Sequence, residues 1–258
     1  MDAQPEAALQ SARDTLEWSL RHRGPDSPMT LDAKSEVAQK LERLGRFDDA
    51  LTLRAEVATQ WRDAAGADDP HTLAAEALQG FDLDRLGRHA EARPLFEHIV
   101  AARTDALGRG DASTCAALEW LGCTLRNLGD LHESRQLLQE AVAGYTRQGA
   151  GDTEECMKAL SHLATTLSQL ELVPEACALR RRILDVRNRT LGADDPRTLS
   201  SLENLATTLL WLNELDEAKV IGLSLLEKRV RLLGEDHADT QRARELLTAI
   251  DDALASDS

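Results

Sequence analysis

One position along this chain reads Thr30, Thr72, Thr114, Cys156, Thr198 and Thr240, each 42 residues from the last. A second reads Ala50, Ala92, Ser134, Ala176 and Ala218, and a third Gly66, Gly108, Ala150, Gly192 and Gly234, at the same spacing. No insertion or deletion interrupts the three columns. A fixed period of roughly 20–50 residues marks a stacked-repeat architecture, in which each unit hides its apolar face against its neighbours. Length alone would suggest one or two globular domains, but a single solenoid accounts for all 258 residues. An interaction surface is therefore expected rather than a catalytic pocket.

The unit from Asp194 to Gly234 shows what is repeated. Asp195 suits an N-cap, and Pro196 suits the first helical position, where its missing N–H costs nothing. Leu202, Leu205, Ala206, Leu209 and Leu212 follow at helical spacing until Asn213–Glu214 breaks the stripe. A second helix turns Ala218, Ile221, Leu225 and Leu226 inward and closes on Lys228, Arg229 and Arg231 before Leu233–Gly234. The unit is a helix–turn–helix hairpin. Its first stripe recurs as Leu160, Leu163, Ala164, Leu167 and Leu170, and the column Ala38, Gly80, Gly122, Ala164 and Ala206 stays small throughout. Small residues there predict close approach of two helix backbones.

The pattern divides the chain into a capping half repeat over 1–24 and repeats over 25–66, 67–108, 109–150, 151–192 and 193–234. A solvating C-terminal helix and tail fill 235–258, fraying from Ala253 onward. The expected architecture is all-α, with about twelve helices. Glycine's backbone freedom makes Gly144, Gly149 and Gly151 a candidate bend between the third and fourth repeats.

Composition narrows the function. A net charge of −15 opposes binding to nucleic acid, which needs Lys and Arg against phosphate, and equally to anionic membranes. No apolar run approaches ~18 residues and Met1–Arg13 is polar, so neither a spanning helix nor a signal peptide is expected. Cys115, Cys123, Cys156 and Cys177 show no CxxC spacing and read as reduced thiols of a cytoplasmic protein. Phosphate-loop, dinucleotide and nucleophile-elbow motifs are missing, as is histidine ligand spacing. No catalytic residue, metal or cofactor is expected. His162 with Cys115 and Cys123 could be read as a nucleophilic site, but a groove histidine and plain thiols account for them better.

Leu205–Ala206, Leu209, the turn at Asn213 and Glu217–Ala218 resemble the tetratricopeptide repeat. The 42-residue unit, with Gly-x-Asp-Asp-Pro-x-Thr-Leu at Gly66–Leu73 and Gly192–Leu199, resembles the long-helix form found in kinesin light chains and bacterial regulators. The similarity runs from about Asp26 to Gly234. It departs at Ser134, where the family has Ala, and at the Gln148–Glu154 turn, which lacks Pro. The resemblance implies a right-handed superhelical α-solenoid of stacked hairpins whose first helices line a concave groove. A family Asn that bonds peptide backbone is matched here only by Asn204.

Positions of the first helices off the core stripe supply candidate partner-binding residues: Leu78, Phe81 and Arg85; Glu119, Trp120, Arg126 and Asn127; His162 and Gln169; Glu203, Asn204, Leu210 and Trp211. Large apolar side chains rimmed by polar ones often mark an interaction site. The expected activity is a non-catalytic scaffold or adaptor holding an extended or helical segment of a protein partner. That partner is read as basic or amphipathic, and self-association is compatible with it. The alternatives are a regulator in which a ligand or signal peptide changes the superhelix curvature, and an accessory enzyme subunit. Trp18 and Trp61 read as packing at hairpin ends.

Overall fold

The computed structural model describes residues 3–256 as helices and short turns, with no strand among them. The helices are α1 (Ala3–Arg23), α2 (Pro28–Arg43), α3 (Phe47–Ala65), α4 (Pro70–Arg85), α5 (His89–Leu107) and α6 (Ala112–Leu128), then α7 (Leu131–Arg147), α8 (Glu154–Gln169), α9 (Val173–Thr190), α10 (Pro196–Trp211), α11 (Leu215–Leu233) and α12 (Ala238–Ser256). The chain is an all-α helical-repeat solenoid, and no described helix is long and apolar enough to cross a membrane. Two compact units divide between Asp130 and Leu131, inside the third repeat read from sequence and not at the glycine-rich turn. Within each unit, helices pack on their neighbours in sequence. The expected fraying from Ala253 is not seen up to Ser256, where α12 ends. Met1, Asp2, Asp257 and Ser258 lie outside the described residues.

Each hairpin is built by two different turns. First helices begin on side-chain caps: Asp69 accepts from His71 N at 2.8 Å, Asp111 from Ser113 N at 2.8 Å and Asp195 from Arg197 N at 2.9 Å. These are the recurrent acidic residues, satisfying N–H groups the helix leaves without partners. The periodic Thr sits just inside. Thr30, Thr72 and Thr240 donate their hydroxyls to the carbonyls of Gly24, Gly66 and Gly234, tying each helix start to the end of the helix before it.

The turn within the hairpin is a Schellman motif. Arg46 N, Arg88 N, Asp130 N, Leu172 N and Glu214 N reach back to the carbonyls of Leu41, Leu83, Leu125, Leu167 and Leu209. The residue before each takes a left-handed conformation: Gly45, Gly87 and Gly129, then Glu171 (φ 62°) and Asn213 (φ 60°). A β-carbon is disfavoured there, so Glu171 and Asn213 carry a backbone cost that the glycines do not.

The core follows the same period. Ala50, Ala92, Ser134, Ala176 and Ala218 are all fully buried, as are Ala38, Ala164 and Ala206. At Gly80 the reason is not backbone approach: a β-carbon would lie 2.6 Å from Cζ of Phe96. One more column joins successive hairpins. Arg103, Arg187 and Arg229 each donate to a carbonyl ten residues on, those of Ser113, Arg197 and Asp239. Trp61 occupies this column and stacks on His71 ten residues on, with ring centroids 4.5 Å apart. Trp61 is thus packing, whereas Trp18 is 48% exposed and stacks on His22.

Candidate functional site

Residues seven apart on a helix share a face. Each first helix repeats such a pair: Leu78 and Arg85 on α4, Trp120 and Asn127 on α6, His162 and Gln169 on α8, Asn204 and Trp211 on α10. The two units use this face differently.

In the first unit aromatic rings close it. Phe81 lies 5.5 Å from Phe96 and 5.1 Å from Trp120, edge-on to the latter, and Phe96 and Trp120 are 6.1 Å apart. Phe96 is fully buried over Gly80, and Arg103 stands 5.1 Å over the Trp120 ring. Phe81 and Trp120 are therefore half-buried packing side chains and not the open aromatic surface expected from their position. Glu119 is 7% exposed, so it is buried where presentation to a ligand was expected. Arg85 stacks on Phe47 and bonds Glu42 at 2.6 Å. Glu42 also holds Arg54 at 2.8 Å, whose second carboxylate partner is the buried Asp82 at 2.7 Å. Burial pushes the Asp82 carboxyl above its usual range against the pull of Arg54. Leu78 is the exposed apolar residue here, at 39%. Asn127 is also exposed, and Arg126 reaches its amide oxygen at 3.4 Å.

In the second unit the face opens into a cavity of about 190 Å³ lined by Ser161, His162 and Thr165 of α8, Arg180 and Ile183 of α9, and Ser201 and Asn204 of α10. Two sequence-expected residues, His162 and Asn204, meet there. Gln169 and Trp211 are exposed, Trp211 at 59%. Leu210 instead packs against the core formed by Leu205, Leu209, Ala218 and Ile250. Glu203 is engaged with the buried Arg229 at 2.6 Å and lies 3.8 Å from Arg242.

Sequence reasoning missed Arg180. Its Nη1 donates to the Asn204 carbonyl at 3.3 Å and to the Thr208 hydroxyl. The signal was available: Arg54, Phe96, Leu138, Arg180 and Gly222 form one column at the 42-residue period, and arginine is out of place among inward residues. The thiol candidates gain no support. Cys115, Cys156 and Cys177 are buried, and burial pushes the Cys123 thiol up to about 12, far from the thiolate a nucleophile needs. A wider depression of about 840 Å³ lies on the first unit's second helices, between Leu51, Ala55 and Gln60 of α3 and Arg88, Glu91 and Leu95 around α5.

A family profile described as tetratricopeptide repeat matches residues 29–105, 73–147 and 155–227. No curated protein matches the sequence. Among solved structures, a Podosopora anserina putative kinesin light chain with nearly identical TPR-like repeats is 21% identical, covering 78% of this chain and 95% of its own, with a TM-score of 0.70. BtubC (BKLC) from P. vanneervenii is 16% identical over 99% of this chain and 92% of its own, with a TM-score of 0.69. A Rap protein complexed with Competence and Sporulation Factor is 13% identical over 99% of this chain and 72% of its own, with a TM-score of 0.56. These likenesses speak for the fold, and the profile spans both compact units. The chain belongs to the tetratricopeptide repeat family, whose repeats are protein-interaction scaffolds.

Proposed function

We propose that this chain is a non-catalytic scaffold that holds a segment of a partner protein against the first-helix face of its second unit. The observation that carries the reading is the open cavity at His162 and Asn204, with Trp211 exposed two turns along the same face of α10. The Asn204 side-chain amide has no partner among the described residues and is exposed, so it is free to bond a main chain, as the family resemblance implies. Trp211 supplies the large, stiff apolar contact that dominates binding energies. The partner segment is amphipathic. A basic one is less favoured, because Glu119 is buried and Glu203 already holds Arg229. The Rap neighbour and its bound factor support ligand capture by a chain of this fold. In this reading the repeat boundaries at 24, 66, 108, 150, 192 and 234 delimit the modules that carry the face.

The test is to pan an immobilised capped-peptide library with the full chain and with an Asn204→Ala, Trp211→Ala double variant. Loss of two such contacts costs about 2 kcal/mol or more, about thirtyfold in affinity. Equal affinity of the two proteins for the selected peptides would remove this face from consideration.

A further inference from the structure

The depression on the first unit's second helices has a sealed counterpart three periods later. In the second unit Arg181 of α9 reaches across to α11, bonding Glu214 at 3.2 Å and Glu217 at 2.8 Å. The residue matching Arg181 is Ala55. Those matching the two carboxylates are Arg88 and Glu91, which bond each other at 2.7 Å instead. Glu97, Gln139 and Leu223 complete the column between successive second helices, so Ala55 is its short member. Without the bridging side chain the groove between α3 and α5 stays open, lined by Leu51, Leu83 and Leu95.

Gln79 is a second departure from the repeat. It stands in the inward column of the first helices, where Val37, Leu121, Leu163 and Leu205 are all buried. An amide at such a position calls for hydrogen-bond partners, yet the Gln79 side chain has none among the described residues. It is half-buried and lines the groove. The charged lining residues, by contrast, are matched in pairs, Lys34 with Glu56 at 3.0 Å and Arg88 with Glu91.

We propose that this second-helix groove is a docking site for an extended, uncharged segment of a partner chain. Gln79 bonds the main chain of one residue of that segment, and an aliphatic side chain fills the space over Ala55. A carboxamide carries both donor and acceptor, so it pairs with the N–H and C=O of one extended residue. A helix interior has already used both groups, which rules against a helical occupant. No lining charge is left over to balance a charged side chain, and burying one unpaired is costly. At about 840 Å³ the groove falls within the ~300–1,000 Å³ of ligand sites. It lies on other helices than the α8–α10 face and does not depend on that reading.

The test uses the full chain labelled with ¹⁵N and with ¹³C in its methyl groups, following the Gln79 side-chain N–H signals and the Ala55 methyl. The probes are capped heptapeptides of Ser and Thr with Val at the centre, the same peptides with Lys or Glu there, and the valine peptide N-methylated at that residue. Saturable shifts are expected with the valine peptide, and binding about tenfold weaker or less with the other three. Ala55→Arg installs the bridge of the second unit, and Gln79→Leu restores the residue usual in its column. Both should keep urea midpoints at or above the wild type's, and each should weaken the valine peptide about tenfold. The Asn204→Ala, Trp211→Ala double variant should bind it unchanged. No saturable shift, equal binding of the charged or N-methylated peptides, a helical bound peptide, or undiminished binding to both folded variants would each overturn the proposal. Loss of the peptide in the double variant alone would put the segment on the α8–α10 face, sinking this groove and leaving the scaffold reading intact.

Discussion

The seven residues around the second unit's cavity have counterparts two periods earlier in the first unit. Ser161, His162, Thr165, Arg180, Ile183, Ser201 and Asn204 correspond to Ala77, Leu78, Phe81, Phe96, Ile99, Ala117 and Trp120. Backbone geometry at the two places is set by side-chain caps, Asp69 and Asp111 in one and Thr153 and Asp195 in the other, and by the same Schellman turns. Only side-chain chemistry differs. In the first unit, rings of 5–6 Å centroid spacing fill the space, and Gly80 gives up its β-carbon to admit Phe96. In the second, Ala164 replaces Gly80 and polar side chains leave the volume open. A repeat position is thus a slot, and whether it is sealed or receptive depends on its occupant rather than on the fold.

Emptying the sealed slot should have the largest effect. Phe96→Ala removes a fully buried ring and should cost about 3–5 kcal/mol, read from urea unfolding and from lost amide protection in α4–α6. Gly80→Ala forces the same ring aside and should cost about 1–3 kcal/mol. Arg180→Leu, at the position matching Phe96, should change stability by no more than about 1 kcal/mol, because the hydrogen bonds it breaks are offset by removal of a partly desolvated charge. Equal losses at positions 96 and 180 would mean that the cavity is as much a core as the ring cluster.

Much of the fold could be read from the period, and the site much less. Asp69, Asp111 and Asp195 are recognisable caps because the side chain precedes a helical stripe. The Thr column is visible as a landmark, but the hydroxyl of Thr30, Thr72 and Thr240 closing on a glycine carbonyl six residues back needs three-dimensional adjacency to be seen. Phe81 and Trp120 fall off the stripe of their own helices and so look exposed. Their burial comes from Phe96 on the intervening helix, in a column occupied in turn by Arg, Phe, Leu, Arg and Gly. A single-helix projection cannot show a partner supplied by the next element. The same blindness hid Arg180, whose side chain is held by Asn204 and Thr208 on the next helix.

The hairpin turns offer a smaller contrast between the units. Gly87 and Glu171 are equivalent, and both sit in the left-handed region, at φ 74° and 62°. A non-glycine residue there costs roughly 1–2 kcal/mol, partly offset by the lower unfolded-state entropy of the bulkier residue. Glu171→Gly should therefore raise stability by about 1 kcal/mol in urea titration, and Gly87→Ala should lower it by a similar amount. A neutral Glu171→Gly would show that Glu171's surroundings already compensate its conformation.

The smallest expected difference is one of pH. The first unit buries Glu76 completely, with Arg62 and His98 on its carboxylate, His98 at 2.7 Å; the equivalent position in the second unit is Leu160. Burial alone would lower the His98 pKa. The hydrogen bonds to Glu76 and to Asp68, at 3.1 Å, outweigh it and raise the pKa above the ordinary 6.5. A histidine whose folded pKa is raised binds its proton more tightly in the native state, so it stabilises fully below pH 6.5. That contribution is lost as pH climbs through the folded value. Urea midpoints of the wild type and of His98→Gln, compared across pH 6 to 9, should therefore converge with rising pH as the wild type gives up its advantage. Parallel curves would place the pH dependence elsewhere. Loss of protection in α8–α10 as steep as in α3–α5 would show that the buried pair does not set the two units apart.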